Sequence, residues 1–209
     1  MVNLPGLTPD GANTSKVFIA IKNGKIIYKD RESGNEYQFK NITGIITGIS
    51  SHTVTFNNSQ QPTDFFDITI KAEDTVYVLS VVKDSGAARQ IINSLASVKD
   101  FSRTLVIEPW LSSAKSNGEK PYTNVSVYVD SPINENRLKW AIELPKAKEI
   151  RLSNGRVLWD NGEQLAALDG LVEEINKTIG GHAAAPAVTP KGVAAGESPA
   201  DNASDDLPF

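Results

Sequence analysis

The chain has 209 residues, 40% of them hydrophobic and 22% charged, with a formal net charge of −4. That length supports one domain with a real core plus appendages. No apolar run approaches the ~20 residues that span a bilayer, and zero cysteines exclude disulfides, thiol catalysis and cysteine-ligated zinc. Met1–Leu7 lacks the basic and apolar regions of a secretory signal, so a cytoplasmic protein with no membrane partner is expected.

The charge is unevenly placed. Residues 181–209 carry Glu197, Asp201, Asp205 and Asp206 against Lys191 alone. The body, 1–180, is nearly neutral with 20 basic and 21 acidic side chains. Within it, residues 16–40 hold six basic residues (Lys16, Lys22, Lys25, Lys29, Arg31, Lys40) against Asp30, Glu32 and Glu36. A locally positive face on the body and an anionic tail are therefore expected.

In chain order, Lys16–Lys22 alternates, with Val17, Ile19 and Ile21 on one face and Phe18, Ala20 and Lys22 on the other. Asn23-Gly24 signals a type I′ hairpin into 25–29. Residues 36–50 read as one long strand interrupted by Gly44 and Gly48, where a bulge or bend is expected. Strands at 53–56, 64–71 and 75–83 follow. Pairing about Glu73-Asp74 sets Ile70 opposite Tyr77, Ile68 opposite Leu79 and Phe66 opposite Val81, so Tyr77 reads as core.

Residues 86–98 predict a helix that buries Ile91, Ile92 and Leu95 and exposes Arg89. Strands at 105–110 and 122–130 flank a polar loop, and 138–144 alternates with Trp140 on the apolar side. Asn154-Gly155 signals a hairpin joining 148–153 to 156–159. Asp160 with Glu163 resembles a capping box opening a helix with a stripe of Leu165, Leu168, Leu171, Val172, Ile175 and Ile179, ended by Gly180. That stripe either packs on the body or builds a homo-oligomer. Residues 182–204, rich in Ala, Pro, Gly and Ser without an aromatic, read as a disordered tether of about 25 residues reaching ~25–30 Å.

From 36 to 130 the order is a glycine-bent strand, a strand pair, a helix and a two-strand hairpin, which is the order of an OB-fold. The expected fold is mainly β. An OB-fold-like five-stranded barrel at about 36–130 is joined by the hairpin 16–29 and the extension 131–180, with 181–209 as a disordered acidic tail.

The chain ends Asp205-Asp206-Leu207-Pro208-Phe209. At average residue usage such an ending arises by chance about once in 10⁵ chains. It resembles the C-terminal tip of bacterial and phage single-stranded DNA-binding proteins. With the strand order, the resemblance implies a protein that coats single-stranded DNA in replication, recombination and repair. The tip would then recruit replication or recombination proteins. The hairpin 16–29 and the segment 131–180 lie outside the bacterial pattern and point to a phage-type member in a host cytoplasm. Physically, Leu207 and Phe209 suit apolar pockets, the α-carboxylate suits a basic clamp, and Pro208 limits the entropy lost on docking.

Sequence-tolerant binding of a single strand needs outward aromatic faces beside basic side chains. Phe18 with Lys16 and Lys22 meets that requirement. So does the 111–121 loop, where Lys115 and Lys120 lie between Trp110 and Tyr122, with Tyr128 outward on the next strand. Tyr37, Phe39 and Lys40 on the bent strand, and Phe65 beside Lys71, are further candidates. Trp140 and Trp159 are assigned to packing.

Catalysis finds little support. His52, read as lying in a turn, and His182 have no evident partner. Asp64 and Asp67, three apart on a strand, point to opposite faces, which disfavours a magnesium nuclease. No phosphate-binding glycine motif occurs. The protein is read as no enzyme, with no metal and no cofactor. The alternative is a β-rich adaptor whose acidic tip docks on a partner and whose body ignores DNA.

Overall fold

The computed structural model describes residues 16–56, 61–113, 121–152 and 154–181. The strands are β1 (Lys16–Lys22), β2 (Lys25–Lys29), β3 (Glu36–Phe39), β4 (Ile42–Val54), β5 (Thr63–Ala72), β6 (Thr75–Val82), β7 (Leu105–Leu111), β8 (Thr123–Val129), β9 (Lys148–Arg151) and β10 (Val157–Asp160). The helices are α1 (Gly86–Leu95) and α2 (Gly162–Gly180). The protein is mainly β. Eight strands form one curled, half-barrel sheet in the order β3-β2-β1-β6-β5-β4-β7-β8, while β9 and β10 form a separate ribbon.

Alternation decides the faces. Ile19, Ile26, Ile46, Phe66, Ile68, Ile70, Leu79 and Val81 bury the inner face, against which Ile91, Ile92 and Leu95 of α1 and the α2 stripe pack. Register across the β5–β6 turn is the expected one: Ile70 opposite Tyr77, Ile68 opposite Leu79, Phe66 opposite Val81. Asn23 (φ 50°) and Gly24 (φ 69°) build the expected hairpin turn.

The long strand expected at 36–50 divides. β3 pairs with β2, while β4 starts at Ile42, takes in the first two residues of the separate strand expected at 53–56 and ends at Val54, and bends between two partners. Residues Ile42–Gly44 pair with β7, and Ile45–Val54 with β5, with a register shift between Ile46 and Gly48. A Cβ on Gly44 would lie 2.6 Å from the Lys71 carbonyl oxygen, so the bend needs glycine there. Beyond the bend, the Asn176 side chain of α2 bonds both the Ile49 amide (2.9 Å) and its carbonyl (2.7 Å).

The expected five-stranded closure is not what the sheet does. The second edge of β6 is taken by β1, in parallel, rather than by β8. The curl is instead closed by the tip of the β1–β2 hairpin, which abuts the β7–β8 end. The Gly24 amide donates to Thr123 Oγ1 at 3.2 Å. A Cβ on Gly24 would sit 2.7 Å from the Leu111 amide nitrogen.

Several expectations for the two helices and for the chain after residue 130 are corrected or decided. Residues 138–144 form no strand. An isolated bridge joins the preceding residue, Arg137, to Tyr128, and the Leu138 amide donates to the Val127 carbonyl. The chain is then captured by the buried Asn93 of α1, whose side chain bonds the amides of Ala141 and Ile142 and the Ile142 carbonyl. Trp140 and Trp159 are accordingly not packing residues; they are 52% and 62% exposed. Asp160 is the last residue of β10, and Asn161 occupies the α2 cap; Asp160 Oδ1 still accepts from the Gly162 amide at 2.8 Å. Glu163 turns to Lys148 rather than closing a capping box. The Leu165–Ile179 stripe packs into the body, with five of its six residues buried and Leu165 half-buried. Arg89 is only half-exposed and pairs with Asp84 at 3.0 Å. α2 ends on Gly181 in right-handed geometry, so no left-handed glycine cap operates.

Candidate nucleic-acid interface

The outer face of the sheet carries the side chains that alternate out of the core. On β1 these are Lys16, Phe18 and Lys22, all exposed; Lys25 and Lys29 share that face on β2, and Lys71 on β5. Phe18 is 51% exposed, and the Arg31 guanidinium sits 5.7 Å from its ring centre, a cation–π contact. The loop holding Arg31 is fixed by Asp30, which accepts from the Ser33 hydroxyl at 2.5 Å and the Glu32 amide at 3.0 Å. Those bonds, Ser33 first, hold the Asp30 carboxyl below its ordinary pKa. Lys22 pairs with Glu36 at 3.1 Å.

The docked hairpin tip brings two separately expected candidates together. Lys22 and Lys25 flank Asn23-Gly24, and Gly24 lies against Trp110, Leu111 and Thr123. The outward face of β7 presents Trp110, 42% exposed, with its ring N–H donating to Ser126 Oγ at 3.2 Å. Lys40 reaches the same strand and pairs with Glu108 at 3.1 Å. Tyr122 is 55% exposed at the base of the loop between β7 and β8, which Ser112 and Tyr122 close through a backbone bond and a side-chain bond. Lys115, Lys120 and the tip Asp205–Phe209 lie outside the described residues, as do His182 and the tether.

Beside Trp110, at the β8 edge, lies a groove of about 510 Å³ lined in part by Trp110, Asn124, Arg137, Lys139 and Trp140. Two exposed indoles, two cationic side chains and an amide edge share one concavity. That combination can stack a base and neutralise its phosphate. Sequence reasoning missed Arg137, Lys139 and Trp140, although the alternating Arg-Leu-Lys-Trp run is itself a basic–aromatic signal. Reading it as a strand turned Trp140 inward. Tyr128, expected outward, is half-buried beside the Arg137 bridge.

The remaining candidates do not join this surface. Tyr37 and Phe39 pair with Tyr28 and Ile26 and therefore face inward, opposite to Phe18. They line an apolar groove of about 430 Å³ with Tyr28 and Tyr77; the Tyr28 and Tyr37 rings stack at 6.1 Å. Phe65 is half-buried on the outer face, stacked on His52 at 5.1 Å and edge-on to Phe56 at 6.5 Å. His52 is in β4, not in a turn, and its Nδ1 lies 2.7 Å from Asp67 Oδ2. Ser80 donates to the other Asp67 oxygen at 2.5 Å, whereas Asp64 accepts from Thr53 at 2.6 Å. The two carboxylates are thus engaged separately. Among the described residues no helix is long and apolar enough to cross a membrane. No protein-family model, curated protein or solved structure matches the chain.

Proposed function

We propose that the protein binds single-stranded DNA without sequence preference and coats it during DNA replication or recombination. In this reading it is a phage-type single-stranded DNA-binding protein, not an enzyme, whose terminal Asp205–Phe209 recruits replication or recombination proteins. The observation that carries the reading is the Trp110–Trp140 groove with Arg137 and Lys139, adjoining the Lys22–Lys25 hairpin tip. Stacking supplies about 1–3 kcal/mol per base and is indifferent to base identity. The cations supply salt-dependent phosphate binding. The pairing of one glycine-bent strand, β4, with both β5 and β7 supports an OB-like origin for β4–β8, extended by the N-terminal hairpin.

The second reading, an adaptor that ignores DNA, draws on the apolar Tyr28–Tyr37–Phe39–Tyr77 groove, which suits a hydrophobic peptide. Titration with oligo-dT at two salt concentrations separates the two. A coating protein quenches its tryptophan fluorescence and loses affinity steeply with salt; unchanged fluorescence at low salt refutes DNA binding.

A further inference from the structure

The β9–β10 ribbon is exposed along its whole length, and among the described residues no other strand pairs with either of its edges. An isolated two-stranded ribbon is marginal in water. This one nevertheless presents Ile150, Leu152, Val157, Leu158 and Trp159 to solvent. Unpaired main-chain groups beside exposed apolar side chains are a template for strand addition.

Backbone parity identifies what the β9 edge offers. The Leu152 amide donates to the Arg156 carbonyl at 2.9 Å, so the main-chain groups of Leu152 and of Ile150 point toward β10. Those of Glu149 and Arg151 point outward. A second β9 brought up by a two-fold axis pairs antiparallel, and its register is chosen by charge. Centred on Glu149, two carboxylates oppose each other; centred on Arg151, two guanidinium groups do. Centred on Ile150, each Glu149 lies opposite Arg151 of the second copy, and Ile150 meets its own counterpart. Because Ile150 already sits opposite Leu158, that register also aligns four aliphatic side chains in one cross-strand row. The β10 edge is less open, since the side chain of its last residue, Asp160, accepts from the Gly162 amide and the strand runs almost directly into the helix. The other self-association candidate, the α2 stripe, is occupied by the core.

We propose that two copies of this chain associate through antiparallel β9–β9 pairing centred on Ile150, forming a four-stranded ribbon. The within-strand Glu149–Arg151 pair of the single chain is then exchanged for two pairs between chains.

Sedimentation equilibrium of the full chain without DNA tests this independently of the function proposed above. The wild type is expected to dimerise. Glu149→Lys alone and Arg151→Glu alone each place like charges across the two-fold and should weaken dimerisation about tenfold. An equimolar mixture of the two variants places opposite charges at both positions and should restore it, which also shows that both variants fold. A wild type that stays monomeric, single variants that dimerise like the wild type, or a mixture no tighter than its components would each overturn the proposal.

Discussion

Gly24 serves two purposes that no other described glycine combines. Its φ of 69° is open to glycine at little cost, and the space a Cβ would fill is occupied by the Trp110–Leu111 backbone. Gly24→Ala is therefore expected to cost about 2 kcal/mol or more, read as a lowered urea midpoint. An unchanged midpoint would mean that the hairpin tip does not dock on β7. Trp110 and Trp140 have the opposite character: large, apolar, yet 42% and 52% exposed. Truncating either removes one stacking face and little packing. Trp110→Ala and Trp140→Ala are each expected to weaken oligo-dT binding about tenfold or more, followed by anisotropy of a labelled oligonucleotide, with thermal stability nearly unchanged. Equal affinity in both variants would remove the groove from the interface.

At the scale of elements, the segment 137–142 owes its path to α1 rather than to strand pairing. Asn93 is fully buried, and all its side-chain bonds are made by Ala141 and Ile142. Asn93→Leu removes the partner of the Ile142 amide and carbonyl, at about 1–3 kcal/mol each, and leaves the Ala141 amide only the Asn93 backbone carbonyl at 3.1 Å. It is expected to release the segment that carries Trp140, seen as faster hydrogen exchange of the Ala141 and Ile142 amides and weaker oligo-dT binding. Protection equal to the wild type would show that the ladder alone holds the segment. Along β4 the same logic was partly legible beforehand. Gly44 and Gly48 announced a bend, because glycine inside a strand gives up packing for close approach. They did not announce that β3 would separate to pair with β2.

For the whole molecule, charge is divided between a body with a basic hairpin and an acidic terminal segment. A negative peptide adds nothing favourable to phosphate binding and competes for cations. Removal of residues 201–209 is expected to leave oligo-dT affinity equal or higher while abolishing capture of replication proteins. A gel-shift assay showing lost single-strand binding would contradict that division of labour.

Period and turn chemistry settled much of the fold before any tertiary contact was known. The two-residue alternation of β1, the Asn23-Gly24 turn, the β5–β6 register and the apolar stripes of α1 and α2 are local properties, set by side-chain direction and backbone preference within a few residues. Phe18, Lys16 and Lys22 were legible as an outward set for the same reason. Three decisions needed the assembled molecule: β1 rather than β8 on the edge of β6, the hairpin tip against Trp110, and Trp140 beside Arg137 and Lys139 in one groove. Each depends on pairings between residues far apart in the chain. There, alternation states which face a side chain takes but not which strand lies next to it.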